Sequence, residues 1–277
     1  MSDFNFNKIY VIESLEDNEI QTGTDLYNDL LKWQEYNNPN LKTELILIND
    51  ELALYDAVSH ITKEIREIGY LPMIHFEMHG NLKGMQLKSK EFISWNHIYE
   101  MLVEINTWSG NNLFLTLAVC YGGTLMSKIK IDEPAPFFGF IGSFEKLQTE
   151  DIMICYNNFY TEFLQSFNIP GALDSLRKSN PNLDSDYAYI SSEDTFKYVY
   201  ESYLENGFTE ESIDSRAKEA ADYQGLKFET ITEFETYKSN FKEVLLATED
   251  AFRKEHTEVF FMTKSHPENI ERFSLKI

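Results

Sequence analysis

Cysteine, basic residues and long apolar runs are scarce in this chain. Its 277 residues include two cysteines, Cys120 and Cys155, which are too few for a disulfide framework or a thiolate metal cage. Free thiols in a reducing, cytoplasmic compartment are therefore expected. No run approaches the roughly 18 apolar residues of a membrane span, and the N-terminus lacks the pattern of a signal peptide, so no membrane association is expected.

The scarcity of basic residues limits the classes of partner. Lys and Arg number 24 against 46 Asp and Glu, which gives a formal net charge of -22. Such a field repels phosphate backbones, so nucleic acid is not an expected ligand. It attracts cationic partners, although solvated helix faces are the ordinary source of an acidic balance. A hydrophobic content of 43% supports a packed core.

Up to residue 180, short apolar runs alternate with amphipathic segments. The predicted strands cover 8–15, 41–48, 71–78, 113–119 and 137–142, and the predicted helices cover 25–36, 51–68, 95–107, 124–130, 150–167 and 171–178. Asp50 precedes the second helix and Gly69 follows it, as caps do. A small hairpin or flap is expected at 81–90. This order predicts an α/β fold with a parallel sheet and helices on both faces, which binds ligands at the carboxyl ends of its strands.

The polar sequence NPNLDSD at 180–186 is the predicted domain boundary. It separates a core of residues 1–180 from a mostly helical C-terminal extension of residues 181–277. In the extension we expect helices over 194–204, 210–223 and 237–254, and an extended segment over 228–234.

Two of the predicted strands end in a reactive side chain with glycine close behind. His79-Gly80 ends the third strand, and Cys120-Tyr121-Gly122 ends the fourth. A thiolate is the reactive form of cysteine, and a nearby imidazole makes it accessible and later protonates a leaving amine. Glycine leaves room for a substrate carbonyl to approach the backbone. The N–H groups of Gly80, Cys120, Tyr121 and Gly122 are the candidate oxyanion donors.

This arrangement resembles a known family. A strand ending in His-Gly, a hairpin and a helix, and then a strand ending in Cys-x-Gly resemble the caspase-like cysteine proteases of the caspase-haemoglobinase fold, most closely their CHAT branch. The resemblance covers roughly residues 5–180 and includes the sequences at 138–144, 156–164 and 170–176. Ala118-Val119-Cys120-Tyr121-Gly122 departs from the caspase signature Gln-Ala-Cys-x-Gly at its first two positions.

The resemblance implies roles for individual residues. Cys120 becomes the nucleophile, His79 the general base and acid, and Gly80 with Cys120 the oxyanion donors. In related enzymes the loop after the fifth strand helps to shape the substrate pocket, and that loop is 143–149 here. Glu145, with Glu150 and Asp151 close by, is expected to pair with an arginine or lysine of the substrate, because a carboxylate recognises these cations.

The expected activity is that of a cytoplasmic cysteine endopeptidase that cleaves a protein substrate, with a basic residue favoured before the cut and no cofactor. The resemblance further implies a regulated protease of bacterial antiviral defence or cell death that a protein partner switches on. Two alternatives stay open: a catalytically silent caspase-like binding scaffold and a Rossmann-type small-molecule enzyme. A zinc site of His75, Glu77, His79 and Cys120 is not expected, because side chains two and four apart spread along a strand.

Overall fold

A computed structural model describes residues 4–179 and 187–275 of the chain. The chain divides into two compact units, Met1–Ile129 with Pro134–Ser192, and Lys130–Glu133 with Glu193–Ile277. The predicted linker at 180–186 lies outside the described residues. The division falls after residue 192 instead of at 180, because the residues that follow the predicted linker form an edge strand of the sheet.

One mixed sheet organises the first unit. Its strands are β1 (Lys8–Ser14), β2 (Lys42–Leu47), β3 (Pro72–Asn81), β4 (Gly84–Gln86), β5 (Phe92–Ser94), β6 (Phe114–Ala118), β7 (Gly139–Ser143) and β8 (Tyr187–Ser191). Their order is β2-β1-β3-β6-β7-β8, with β8 antiparallel to β7 and the other neighbours parallel. The strands β4 and β5 continue β3 as antiparallel hairpins, which confirms the predicted hairpin. The five parallel strands confirm the predicted α/β sheet, whereas β8 has no counterpart in the prediction.

Helices and 3-10 turns connect these strands. They are α1 (Thr22–Asp29), α2 (Gln34–Asn37), α3 (Glu51–Ile68), α4 (Trp95–Trp108), α5 (Thr149–Ser166) and α6 (Ile169–Ser179), with 3-10 turns at Leu31–Trp33 and Gly122–Lys128. Asp50 caps α3 by accepting from the Ala53 N–H at 2.9 Å, and Gly69 ends it at a φ of +83°, as the sequence predicts. The predicted helix at 25–36 is interrupted, because Leu30 has a φ of -127° that is not helical.

The second unit is helical in its described residues. It contains α8 (Glu210–Tyr223), α9 (Ile231–Phe260), α10 (Asn269–Arg272) and almost all of α7 (Ser192–Gly207). The extended segment predicted at 228–234 is wrong, because the Thr230 hydroxyl accepts from the Glu233 N–H at 3.3 Å and starts the 30-residue α9. The rings of Phe196, Phe260 and Phe261 pack together. No helix in the described part of the chain is both long and apolar enough to span a membrane.

The pairing of β3 with β6 decides which side chains meet. Its register aligns His75 with Thr116 and Glu77 with Ala118. Because side chains alternate along a strand, His75, Glu77 and His79 share one face of β3. The His75 Nδ1 lies 2.8 Å from the Thr116 hydroxyl, so both strands present side chains to this face.

A charged cluster joins β1 and β2 to α3. The Lys8 ammonium lies 2.6 Å from the carboxylates of Glu44 and Glu64, and the Tyr10 hydroxyl donates to Glu64 at 2.6 Å. Burial opposes the charge of Lys8, but its hydrogen bonds to the two carboxylates raise its pKa overall. Burial also opposes the charge of Glu64 and by itself would raise its pKa, but the hydrogen bonds from Lys8 and Tyr10 lower that pKa overall. The cluster therefore holds its charges in the folded state.

We expect the Lys8→Met variant to lose about 3 kcal/mol of its free energy of unfolding, because two carboxylates lose a buried counterion. Urea denaturation followed by circular dichroism measures this loss. The exposed pair Lys63–Glu67, with 4.0 Å between its charged atoms, supplies the control, and Lys63→Met should change the free energy by less than about 1 kcal/mol. Equal effects of the two substitutions would contradict a structural role for the buried cluster.

The contribution of Glu64 should also depend on pH. Because the pKa of Glu64 is lowered in the folded state, its stabilisation is complete above the pKa of an unfolded glutamate, about 4.3. It is then lost as the pH falls through the lower folded value. In Glu64→Gln, this part of the acid destabilisation should be missing from denaturation curves recorded at a series of pH values.

Candidate active site

His79 and Cys120 line one cleft at the carboxyl edge of the sheet. The β3–β6 register is defined up to Glu77 and Ala118, and the two reactive residues each lie two positions further along. Neighbouring strands lie about 4.8 Å apart, so this register makes the two strand ends adjacent. The cleft has a volume of about 430 Å³, within the range of ligand sites. The structure therefore brings the two predicted residues together.

The two strand ends approach each other closely at Gly80. A Cβ on Gly80 would lie 2.6 Å from the carbonyl oxygen of Cys120, and it would also overlap the Val119 side chain. Separations this short are not tolerated between non-bonded atoms, so the position requires glycine. The sequence explains Gly80 by the approach of a substrate. The structure adds the approach of the neighbouring strand end.

The Cys120 thiol contacts the loop between β7 and α5. The Leu147 N–H donates to Sγ at 3.3 Å, and Sγ lies 3.7 Å from the Leu147 carbonyl oxygen. The next residue, Tyr121, has a φ of +59°, which costs a non-glycine residue on the order of 1 kcal/mol. The surrounding structure thus holds the turn after the thiol in an unfavourable conformation.

Two of the predicted oxyanion donors already have acceptors. The Tyr121 N–H donates to the Glu145 carbonyl at 3.0 Å, and the Gly122 N–H donates within its own turn at 3.1 Å. A backbone N–H carries one hydrogen, so neither group is free to bind an oxyanion in this conformation. The N–H groups of Gly80 and Cys120 stay the predicted donors.

Glu19 is the side-chain partner of His79, and the sequence prediction does not include it. Its Oε1 lies 2.8 Å from the His79 Nε2, although Glu19 is 60 residues earlier in the chain. A carboxylate at this distance orients the ring. No hydrogen bond joins His79 to Cys120 in the described structure. The pairing of β1 with β3 brings the Glu19 loop to His79, and no local motif signals that contact.

Of the three carboxylates predicted to bind a substrate cation, Glu150 lines the cleft, whereas Glu145 and Asp151 do not line it in the part of the chain that the structure describes. The Glu145 side chain is exposed, and Asp151 lies at the start of α5, where its charge acts on Cys155. The segment still shapes the cleft, as expected, through Lys146, Leu147, Gln148, Thr149, Glu150 and Ile152.

Two buried carboxylates lie side by side on β1 and β3. Glu13 and Glu77 are partners in the register and are 2% and 3% exposed. Glu13 accepts from the N–H groups of Gly23 at 2.8 Å and Thr24 at 3.0 Å, so it caps the start of α1. Burial raises the pKa of Glu13, and the hydrogen bonds from Thr24 oppose that rise. Glu13 therefore has a structural role, whereas Glu77 lines the cleft.

Potential metal ligands converge elsewhere in the described structure. His75 is fully buried between the Thr116 hydroxyl and the Glu77 carboxylate, which confirms it as a hydrogen-bonded core residue. Among the described residues, Glu44, His60 and Glu64 have ligand atoms within 4.8 Å of one another. The Lys8 ammonium already pairs with both carboxylates of that group, so the group is an ion-pair cluster.

The two thiols should differ in reactivity. Cys155 is 1% exposed, and burial together with the charge of Asp151 raises its pKa to about 11, whereas Cys120 is partly exposed. We expect iodoacetamide to modify the native protein once near neutral pH, since only a thiolate that solvent reaches reacts quickly. Mass spectrometry should find the label absent from Cys120→Ser and retained in Cys155→Ser. Rapid modification of both thiols in the folded protein would contradict this assignment.

Comparisons with known proteins bear on the identity of this site. No protein-family model matches the chain, and no curated protein matches it in sequence. The functional conclusion therefore depends on the geometry and chemistry of the cleft.

Proposed function

We propose that the chain is a cysteine endopeptidase in which Cys120 attacks the peptide carbonyl and His79 transfers the proton. One observation carries the proposal: a thiol and an imidazole held by a carboxylate line the same cleft at the carboxyl edge of the sheet. A nucleophile, a base and a group that orients the base are what covalent catalysis requires. The Leu147 N–H donates a hydrogen bond to the sulfur and so holds the thiol in the cleft.

The proposed reaction uses groups of the cleft at each step. Because Glu19 occupies Nε2 of His79, Nδ1 is the nitrogen left to accept the thiol proton. The thiolate then attacks the carbonyl carbon, and the N–H groups of Gly80 and Cys120 are proposed to bind the oxyanion. The imidazolium protonates the leaving amine, which leaves a thioester on Cys120. A water molecule deprotonated by His79 hydrolyses that thioester and restores the thiol.

The arrangement of strands also supports a caspase-like protease of the CHAT branch. The strand ending in His79-Gly80 and the strand ending before Cys120 are direct neighbours. The hairpin strands β4 and β5 follow the first of them and α4 precedes the second, in the order on which the resemblance is based. We extend the proposal to regulated proteolysis of a protein substrate in bacterial defence or cell death, with a protein partner as the activator.

Replacement of the nucleophile tests the proposal. We expect Cys120→Ala to lose hydrolysis of a peptide or protein substrate while its circular dichroism spectrum stays unchanged, because the thiol forms the covalent intermediate. Cys155→Ala is the matched control and should keep its activity. An electrophilic peptide ketone should label wild-type Cys120. Hydrolysis that survives in Cys120→Ala would remove the proposed mechanism, and a wild type with neither labelling nor hydrolysis would favour a binding scaffold.

Glu19 should act through the orientation of His79. We expect Glu19→Gln to lower kcat roughly tenfold to a hundredfold with little change in KM, because general acid–base catalysis weakens while the substrate contacts remain. Glu19→Asp should recover part of the loss, since it keeps the carboxylate. Glu16→Gln in the same loop is the control and should leave kcat unchanged. A change confined to KM would assign Glu19 to substrate binding instead.

A further inference from the structure

Glu77 lies on β3, the same strand as His79. It precedes His79 by two residues, about 7 Å along β3 and on the same face, and it lines the cleft that contains His79 and Cys120. Its side chain is nearly fully buried. A buried carboxylate thus lines the cleft on the same face of β3 as the proposed general base.

A second cavity lies next to the cleft. It has a volume of about 50 Å³ and lies against α1 and α5. Thr22, Glu77 and Ile152 line both this cavity and the cleft, so the two share a wall. The chain passes from β1 to β2 on one side and then to β3 on the other side of β1. Such a reversal of strand order leaves a crevice where α/β proteins bind ligands.

The lining of these two cavities is strongly acidic. A single lysine opposes five carboxylates among the described lining residues: Lys146 against Glu19, Asp25, Asp29, Glu77 and Glu150. The whole chain carries a net charge of -22, which adds a long-range attraction for cations. The negative charge of the lining repels an acidic side chain and gives a neutral one no advantage, whereas it attracts a cationic side chain.

Glu77 has two side-chain partners, and neither of them is a lysine or an arginine. Thr22 Oγ1 donates to its Oε1 at 2.6 Å, and Oε2 lies 3.0 Å from the His75 Nε2. No lysine or arginine of the described residues forms an ion pair with it. These contacts fix the direction of the carboxylate, and each of its oxygens keeps a second lone pair that accepts from a further donor. The neighbouring Glu13 differs, since it caps a helix.

We propose that Glu77, assisted by Asp25 and Asp29, binds the side chain of a lysine or arginine that precedes the scissile bond. This inference rests on the proposed function, because the reactive pair defines which bond is cut. The cation enters past Thr22 and donates charge-assisted hydrogen bonds to the Glu77 carboxylate. The preference for basic residues, expected from Glu145, is thereby assigned to a residue on the sheet.

The test compares two inhibitors that differ in charge and not in shape. Peptidyl chloromethyl ketones ending in arginine or in its neutral isostere citrulline alkylate a thiolate with loss of chloride, so the rate at which Cys120 is modified measures binding without requiring turnover. We expect wild type to react roughly tenfold to a hundredfold faster with the arginine compound, as a charged hydrogen bond implies. Glu77→Gln should lose that preference, so that its rates with the two compounds become similar. Glu145→Gln is the matched control and should keep the preference.

The outcomes separate the inference from the proposed function. Equal rates with the two compounds in wild type, or a preference that survives in Glu77→Gln, would overturn the inference while Cys120 remains a reactive nucleophile. If the arginine compound alkylates Cys120 selectively but the protein hydrolyses no peptide, the proposed peptidase activity is wrong. The cation site would still be supported by that result.

A second variant keeps the test decisive if Glu77→Gln does not fold. Asp25 is half-buried and Asp29 is exposed, both on α1, so the double variant Asp25→Asn with Asp29→Asn should preserve the core. We expect it to reduce the preference for arginine over citrulline by several fold. An unchanged preference in this variant, together with a folded circular dichroism spectrum, would contradict the acidic cavity as the binding site.

Discussion

Parallel pairing between β3 and β6 is the interaction on which the candidate active site depends. The register that joins His75 to Thr116 inside the sheet carries the two strands to a common edge, where His79 and Cys120 line one cleft. Gly80 allows the edge to close, because a side chain there would collide with the Cys120 carbonyl. A shift of one residue in this register would turn one of the reactive side chains to the opposite face of the sheet.

Beside this pair, β1 contributes the acidic side of the cleft. Its loop supplies Glu19 to the imidazole, and Thr22 at the start of α1 donates to Glu77. Glu13 in turn holds the start of that helix through backbone N–H groups. The orientation of the base and the proposed recognition of a cationic substrate therefore depend on one short segment packed against β3. The proposed catalysis and the proposed specificity are linked through this segment without sharing a residue.

The features that the sequence predicts correctly are those with a short-range signal in the chain. Periodicity and glycine positions located the five parallel strands and the two reactive ends, because these signals are local. The sequence does not predict the antiparallel β8 or the full 30-residue length of α9. Sheet edges and helix lengths are set by packing as well as by local preference. Glu145 looked suited to a substrate cation because it lies in the loop after β7, yet its side chain is exposed, whereas Glu77 lies in the cleft.

By itself, the sequence determined the α/β class, an acidic surface charge, and a histidine and a cysteine each at a strand end with glycine nearby, because these follow from composition and short-range pattern. Only the tertiary structure decided what surrounds them: Glu19 on the imidazole, Leu147 on the thiol, and Glu77 in the lining of the cleft. The first two contacts join residues that are 60 and 27 positions apart in the chain. The physical reason is that strand order and register, which no local pattern encodes, select the loops that meet at the edge of the sheet.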